Sequence, residues 1–313
     1  MSHGRGRTCD AVVTRDPMTR RTAVVAAVGL ILALGALWAR LAAQAPVTAF
    51  ASRTHLVEVY ATVTDDQGAL VTNLGRDAFD VRENGAPQVV SAFAAGEFPL
   101  TVALGVDRSW SMAGRPLRLA KLASTAFLRA LKPDDRSMVL AIGGDAEIVA
   151  PLSADRVSQA RTIEALDPWG TTALYDSIIV ALDRLEPEPG RQALVVVSDG
   201  TDRHGQATAS QAVARARRSN ALVYPIAVGG IRPPVLAELA VLTGGRSFQL
   251  RGPKEIEAAL AAIARELRYQ YLLGYAPSDP IQPGHAEWRS ITVGLRKAPP
   301  GTRVRARDGY TTE

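Results

Sequence analysis

The chain has 313 residues, with 36 Lys+Arg against 31 Asp+Glu, a formal net charge of +5, and 47% hydrophobic and 21% charged residues. That balance excludes global disorder, and a single Cys excludes a disulfide scaffold and a Cys-based zinc centre. The excess charge belongs to the start of the chain: residues 1–45 hold six basic and two acidic residues and leave 30 basic against 29 acidic. A nucleic-acid partner is therefore not expected.

Residues 23–39 (AVVAAVGLILALGALWA) are apolar throughout, with Arg20 and Arg21 before them and Arg40 after. A basic segment, an apolar segment and then small residues form an export signal, and Ala43-Gln44-Ala45 suits cleavage after Ala45. Met18 is an alternative start. Left uncleaved, the same 17 residues are just long enough to anchor the chain in a membrane. The expected location is across the inner membrane, either periplasmic, secreted or anchored by residues 23–39. This segment is the one expected membrane contact.

Residues 54–64 alternate apolar and polar, as a strand with one wet face does. Asp77–Glu83 and Gln88–Phe93 read as two more strands, with Asn84-Gly85 as the hairpin turn. From Pro99 the pattern changes to short apolar runs separated by helical periodicity. Expected strands are Pro99–Val106, Met138–Ile142, Glu147–Ala150 as an edge, Ala193–Val197, Ala221–Val228 and Arg246–Leu250. Expected helices are 115–131, one capped by Ser153, Ala173–Leu185, Ala209–Ser219, Pro234–Leu242 and Glu255–Leu267. Tyr269–Tyr275, Glu287–Leu295 and Thr302–Ala306 alternate again. The fold class is α/β: a doubly wound, mainly parallel sheet over residues 98–267. The flanks 51–97 and 268–311 each have too few strands for a stable sheet, so they are expected to pair into one small antiparallel β-domain.

Chemistry gathers at strand ends. The first buried strand runs into Asp107-Arg108-Ser109-Trp110-Ser111, which places three oxygen side chains at i, i+2 and i+4. Thr172 opens a later helix, and the strand ALVVVS ends in Asp199-Gly200. In open α/β sheets, ligands bind beyond the carboxyl ends of the strands. Carboxylates and hydroxyls are hard donors that suit Mg²⁺, Mn²⁺ or Ca²⁺.

Asp-x-Ser-x-Ser, the later Thr and the Asp-Gly, in this order, resemble the metal-ion-dependent adhesion site of von Willebrand factor type A domains, across roughly residues 98–266. The resemblance implies a Rossmann-like fold and a metal site made of Asp107, Ser109, Ser111, Thr172 and Asp199. It also implies a non-enzymatic binding role, in which a protein partner offers an Asp or Glu carboxylate to the metal. The front flank VEVYATVTDDQG and the tail LRYQYLLGYAPS and VRARDGY resemble an acidobacterial group of such proteins. Trp110 stands where that pattern has Gly, and is expected to line the metal rim.

Other readings accompany these residues. Asp107 and Asp199 also suit helix N-caps, and Thr171 is the alternative to Thr172. Asp176 and Asp202 read as surface residues, Arg215, Arg217 and Arg218 as a solvated helix face, and Arg303, Arg305 and Arg307 as a charged strand edge. The alternative functions are a metal-dependent phosphoester hydrolase and a structural domain with an inactive metal site. No Ser–His or Cys–His arrangement is legible beside the motif.

Overall fold

The computed structural model describes residues 56–200, 202–229, 233–250, 252–282, 284–298 and 300–312. The export segment 1–45 lies outside the described residues. Among those that are described, no helix is long and apolar enough to cross a membrane.

The central sheet follows from six apolar runs. They form β5 (Leu100–Asp107), β6 (Arg136–Ile142), β7 (Ala146–Ser153), β8 (Arg191–Ser198), β9 (Leu222–Val228) and β10 (Phe248–Leu250). Their order is β10-β9-β8-β5-β6-β7, and only β7 runs antiparallel to its neighbour. All eight residues of β5 and all eight of β8 are buried. Such strands must be covered on both faces. Leu100, Val102, Leu104 and Val106 pack against α1 (Arg115–Ala130) and α6 (Pro253–Arg268). Ala103, Leu194 and Val196 face α3 (Leu174–Leu185), α4 (Ala209–Arg217) and α5 (Pro234–Thr243). The chain builds β6 and β7 on one side of β5, then crosses to build β8 on the other. That crossing is the switch point where an open α/β sheet forms its crevice.

α2 (Arg156–Glu164) departs from the expected cap. Asp155, not Ser153, is the N-cap, and its carboxylate accepts from Ser158 N at 3.0 Å. The Ser153 hydroxyl instead accepts from Asp155 N at 3.0 Å.

The flanking strands form two four-stranded sheets. One has the order β13-β1-β11-β4, built from β1 (Val57–Thr64), β4 (Val90–Gly96), β11 (Gln270–Tyr275) and β13 (Arg303–Arg305). The other has the order β14-β12-β2-β3, built from β2 (Phe79–Glu83), β3 (Ala86–Gln88), β12 (Trp288–Leu295) and β14 (Gly309–Thr311). The β2–β3 hairpin turns at Asn84 and Gly85, both with positive φ, as a type I′ turn requires. Val57, Val59, Ala61, Val63, Tyr271 and Leu273 of one sheet meet Phe79, Val81 and Ile291 of the other. Phe79 and Tyr271 lie with ring centroids 4.9 Å apart. The chain leaves this sandwich after Gly96 and re-enters at Gln270, and those two residues are register partners.

Two buried charges mark the β-rich part. Glu83 and Arg289, each with a side chain only 2% exposed, pair at 3.0 Å. The Tyr275 and Tyr310 hydroxyls donate to Glu83 Oε2 at 2.7 and 2.9 Å. This explains the Gly309-Tyr310 tail: it closes the network around Glu83. Arg191, at the start of β8, is fully buried between the rings of Tyr60 and Phe98, at 5.4 and 5.0 Å. Its guanidinium nitrogens have no hydrogen-bond partner among the described residues, and burial lowers its pKa to about 10.

Two arginine readings change. Arg215 is buried rather than solvated, and it bonds Asp183 at 2.5 Å and Glu186 at 2.9 Å. Arg217 lies over the Trp288 ring at 5.1 Å. Arg305 pairs with Glu266 of α6 at 2.8 Å, and Arg307 donates to Asn220 Oδ1 at 2.5 Å in the loop before β9, so both dock the tail onto the parallel domain. Only Arg303 stays on an exposed edge.

Removing one partner of a buried pair costs about 3–5 kcal/mol, whereas replacing a buried charge by a hydrophobe of similar size is neutral or stabilising. Glu83→Ala is therefore expected to lower stability by about that amount, and Arg191→Met to hold or raise it. Urea denaturation separates the two, and equal losses would contradict the distinction.

Candidate metal centre

β5 ends in Asp107, whose side chain is fully buried. Its Oδ1 accepts from Ser109 N at 2.9 Å, and its Oδ2 accepts from Ser198 Oγ at 2.5 Å. No ion pair among the described residues reaches it. Burial raises the Asp107 carboxyl above its ordinary value of 3.8, hydrogen bonds from Ser109 and Ser198 oppose that, and the nearby Asp199 charge adds to the rise. Desolvation disfavours the charged form and neutral donors favour it. Here desolvation wins.

The other expected residues lie on the loops around this strand end. Ser109 is buried, and its Oγ lies 3.1 Å from Ser111 Oγ. Thr172 is fully buried, and its hydroxyl has no hydrogen-bond partner among the described residues. A buried hydroxyl without a partner costs about 1–3 kcal/mol, so this atom fits the role of a ligand donor. Thr171 is exposed. Asp199 is half-buried, immediately after β8.

Neither Asp107 nor Asp199 caps a helix. The N-cap of α1 is Gly114, and that of α4 is Thr208, which forms a capping box with Gln211. Asp202 does act as a cap, but from a distance: its Oδ2 accepts from Tyr175 N at 2.9 Å in the first turn of α3. Asp176 accepts from Ala207 N at 3.2 Å. These two residues are not merely surface carboxylates, because they tie the loop after β8 to the start of α3.

The loops are stitched together by backbone bonds. Trp110 N donates to Gly170 O at 3.0 Å, Trp169 N to Arg108 O at 2.7 Å, and Ala173 N to Gly143 O at 2.7 Å. Arg203 N and His204 N both donate to Thr172 O. His204, set apart from the motif in sequence, thus reaches the site's edge through its backbone, with its side chain exposed. Gly170 has φ +72°, and a Cβ there would stand 2.6 Å from Gly144 N. That loop closes only with glycine.

Three contributors escape the sequence motif. Ser198 orients Asp107 from the neighbouring strand. Trp169 is 47% exposed on the rim, and its Cε3 edge leaves no room for a side chain at Gly143. Arg108 lies 5.2 Å over the Trp169 ring and pairs with Glu147 at 2.9 Å. For Ser198 the available signal was its place as the last residue before Asp199-Gly200. For Trp169 it was the Trp-Gly pair just before Thr172.

The von Willebrand factor type A domain model matches residues 102–201, a range that includes all five expected ligands. An uncharacterized protein of Synechocystis sp. is 32% identical over 113 residues, which is 34% of this chain and 26% of that protein. The chain thus spans about a quarter of that relative's length. A solved von Willebrand factor type A structure from Catenulispora acidiphila shares the fold, with TM-score 0.50 and 14% identity, over 84% of this chain and 75% of that one. The conserved hypothetical protein BatB from Bacteroides thetaiotaomicron aligns with TM-score 0.45 and 20% identity, over 53% of this chain and 98% of that one. The doubly wound sheet and the matched residues 102–201 together show that this chain carries a von Willebrand factor type A domain.

Proposed function

We propose that the chain is an exported binding module that engages a protein partner through a divalent cation held by Asp107, Ser109, Ser111, Thr172 and Asp199. Domains of this family generally mediate protein interactions, often through such a metal site, and are generally not enzymes. The observation that supports the reading is the buried Thr172 hydroxyl, without a partner among the described residues, in a loop whose backbone is hydrogen-bonded to the segment after β5. The donor set is all oxygen and suits Mg²⁺, Mn²⁺ or Ca²⁺. With two carboxylates and three neutral hydroxyls, a bound cation keeps coordination positions open, and the charge there favours a partner's Asp or Glu. The export reading rests on residues 20–45 of the sequence.

Calorimetry on the purified protein tests the ligand set. Asp107→Ala is expected to abolish Mg²⁺ and Mn²⁺ binding while the circular dichroism stays native. Thr172→Val, which removes only the hydroxyl, is expected to weaken binding by about tenfold or more. Unchanged metal affinity in Asp107→Ala would overturn the reading.

The Asp107 carboxyl also sets a pH dependence. Its pKa is raised in the folded state, so between 3.8 and that raised value the native protein binds more protons than the unfolded one. Stability without metal then falls as pH rises through that window. In chelator, Asp107→Asn is expected to gain on wild type in melting temperature as pH rises from about 4 to 7. In Mg²⁺ wild type should recover. A gap between the two proteins that does not change with pH would contradict the assignment.

A further inference from the structure

The indole of Trp110, between Ser109 and Ser111, is 63% exposed. Among the described residues it makes no ring–ring or cation–π contact. Trp169 stands beside it, because the backbone bonds from Trp110 N to Gly170 O and from Trp169 N to Arg108 O run the two segments side by side. Two exposed indoles are thus carried by neighbouring segments, one of them between Ser109 and Ser111. The Arg108 guanidinium is already engaged by the Trp169 ring and by Glu147. An apolar residue of a partner would find indole surface there. Exposed tryptophans beside a specific polar anchor are the usual makings of a binding hot spot.

We propose that Trp110 and Trp169 are specificity-determining residues, which select a peptide segment whose metal-seeking carboxylate is flanked by apolar side chains. This rests on the cation-dependent reading given above. An acidic saccharide would also combine a carboxylate with aromatic stacking. Stacking of sugar rings on both indoles needs open ring faces, however, and the Arg108 guanidinium covers one face of Trp169. A peptide side chain can bury itself against the edges and the one free indole that remain.

The test uses the full chain in Mg²⁺ and two blocked tripeptides, N-acetyl-Leu-Asp-Leu-amide and N-acetyl-Ser-Asp-Ser-amide, titrated by NMR. Wild type is expected to bind the leucine peptide about tenfold more tightly, the worth of partly burying its two apolar side chains. Trp110→Ala is expected to bind Mg²⁺ as wild type does but to lose that preference. Trp110→Phe is expected to keep most of it. Equal affinity of wild type for the two peptides, with Mg²⁺ bound, overturns this proposal and leaves the metal reading standing. Failure of wild type to bind Mg²⁺ at all overturns both. Tighter binding of digalacturonate than of the leucine peptide overturns it in favour of an acidic saccharide. Where Trp110→Ala does not fold, the wild-type comparison decides.

Discussion

A carboxylate taken out of water without a cationic side chain to meet it is the constraint around which the parallel domain is arranged. Asp107 ends the central strand, where both faces of the sheet are covered, so water cannot solvate it from either side. Among the described residues, only neutral donors, Ser109 and Ser198, hold it. The four loops around it are joined to one another by main-chain hydrogen bonds rather than by long side chains. That stitching keeps Thr172 and the serines in place. Gly143, Gly144 and Gly170 let the loops approach closely enough.

The β-sandwich solves the same problem in the opposite way. Glu83 is as deeply buried as Asp107, but Arg289 and two tyrosine hydroxyls satisfy it. Its network is complete within the chain and serves to pin β2, β11, β12 and β14 together. The two acidic residues thus differ in what meets them, although burial alone does not tell them apart.

Much of this was legible in the sequence, for physical reasons. The runs PLTVALGV and ALVVV are apolar without alternation, which only a doubly covered strand tolerates, and they became β5 and β8. Their oxygen-rich ends, Asp107 with Ser109 and Ser111 on one and Asp199 on the other, follow at the carboxyl edge of the sheet. What was illegible depended on tertiary neighbours. Arg215 reads as solvated because Asp183 and Glu186, which bury it, lie on another helix. Asp202 caps a helix 27 residues before it, so no local capping pattern reveals it. Single-face alternation in the flanks indicates strands but not how many sheets they form. The second sheet depends on β14, three residues too short to carry a pattern.

The register partnership of Gly96 with Gln270 has a kinetic side. Bringing those residues together in an unfolded chain closes a loop of more than 170 residues, which costs on the order of 4–5 kcal/mol of chain entropy. Once the parallel sheet and its helices have formed, the two ends of that loop are already neighbours and the cost has been met. A route in which the doubly wound sheet forms before the sandwich closes avoids that cost. During synthesis, β1 to β4 emerge long before β11 to β14, the strands that complete their sheets. For that interval β1 and β4 lack the later strands that flank them in the folded sheet.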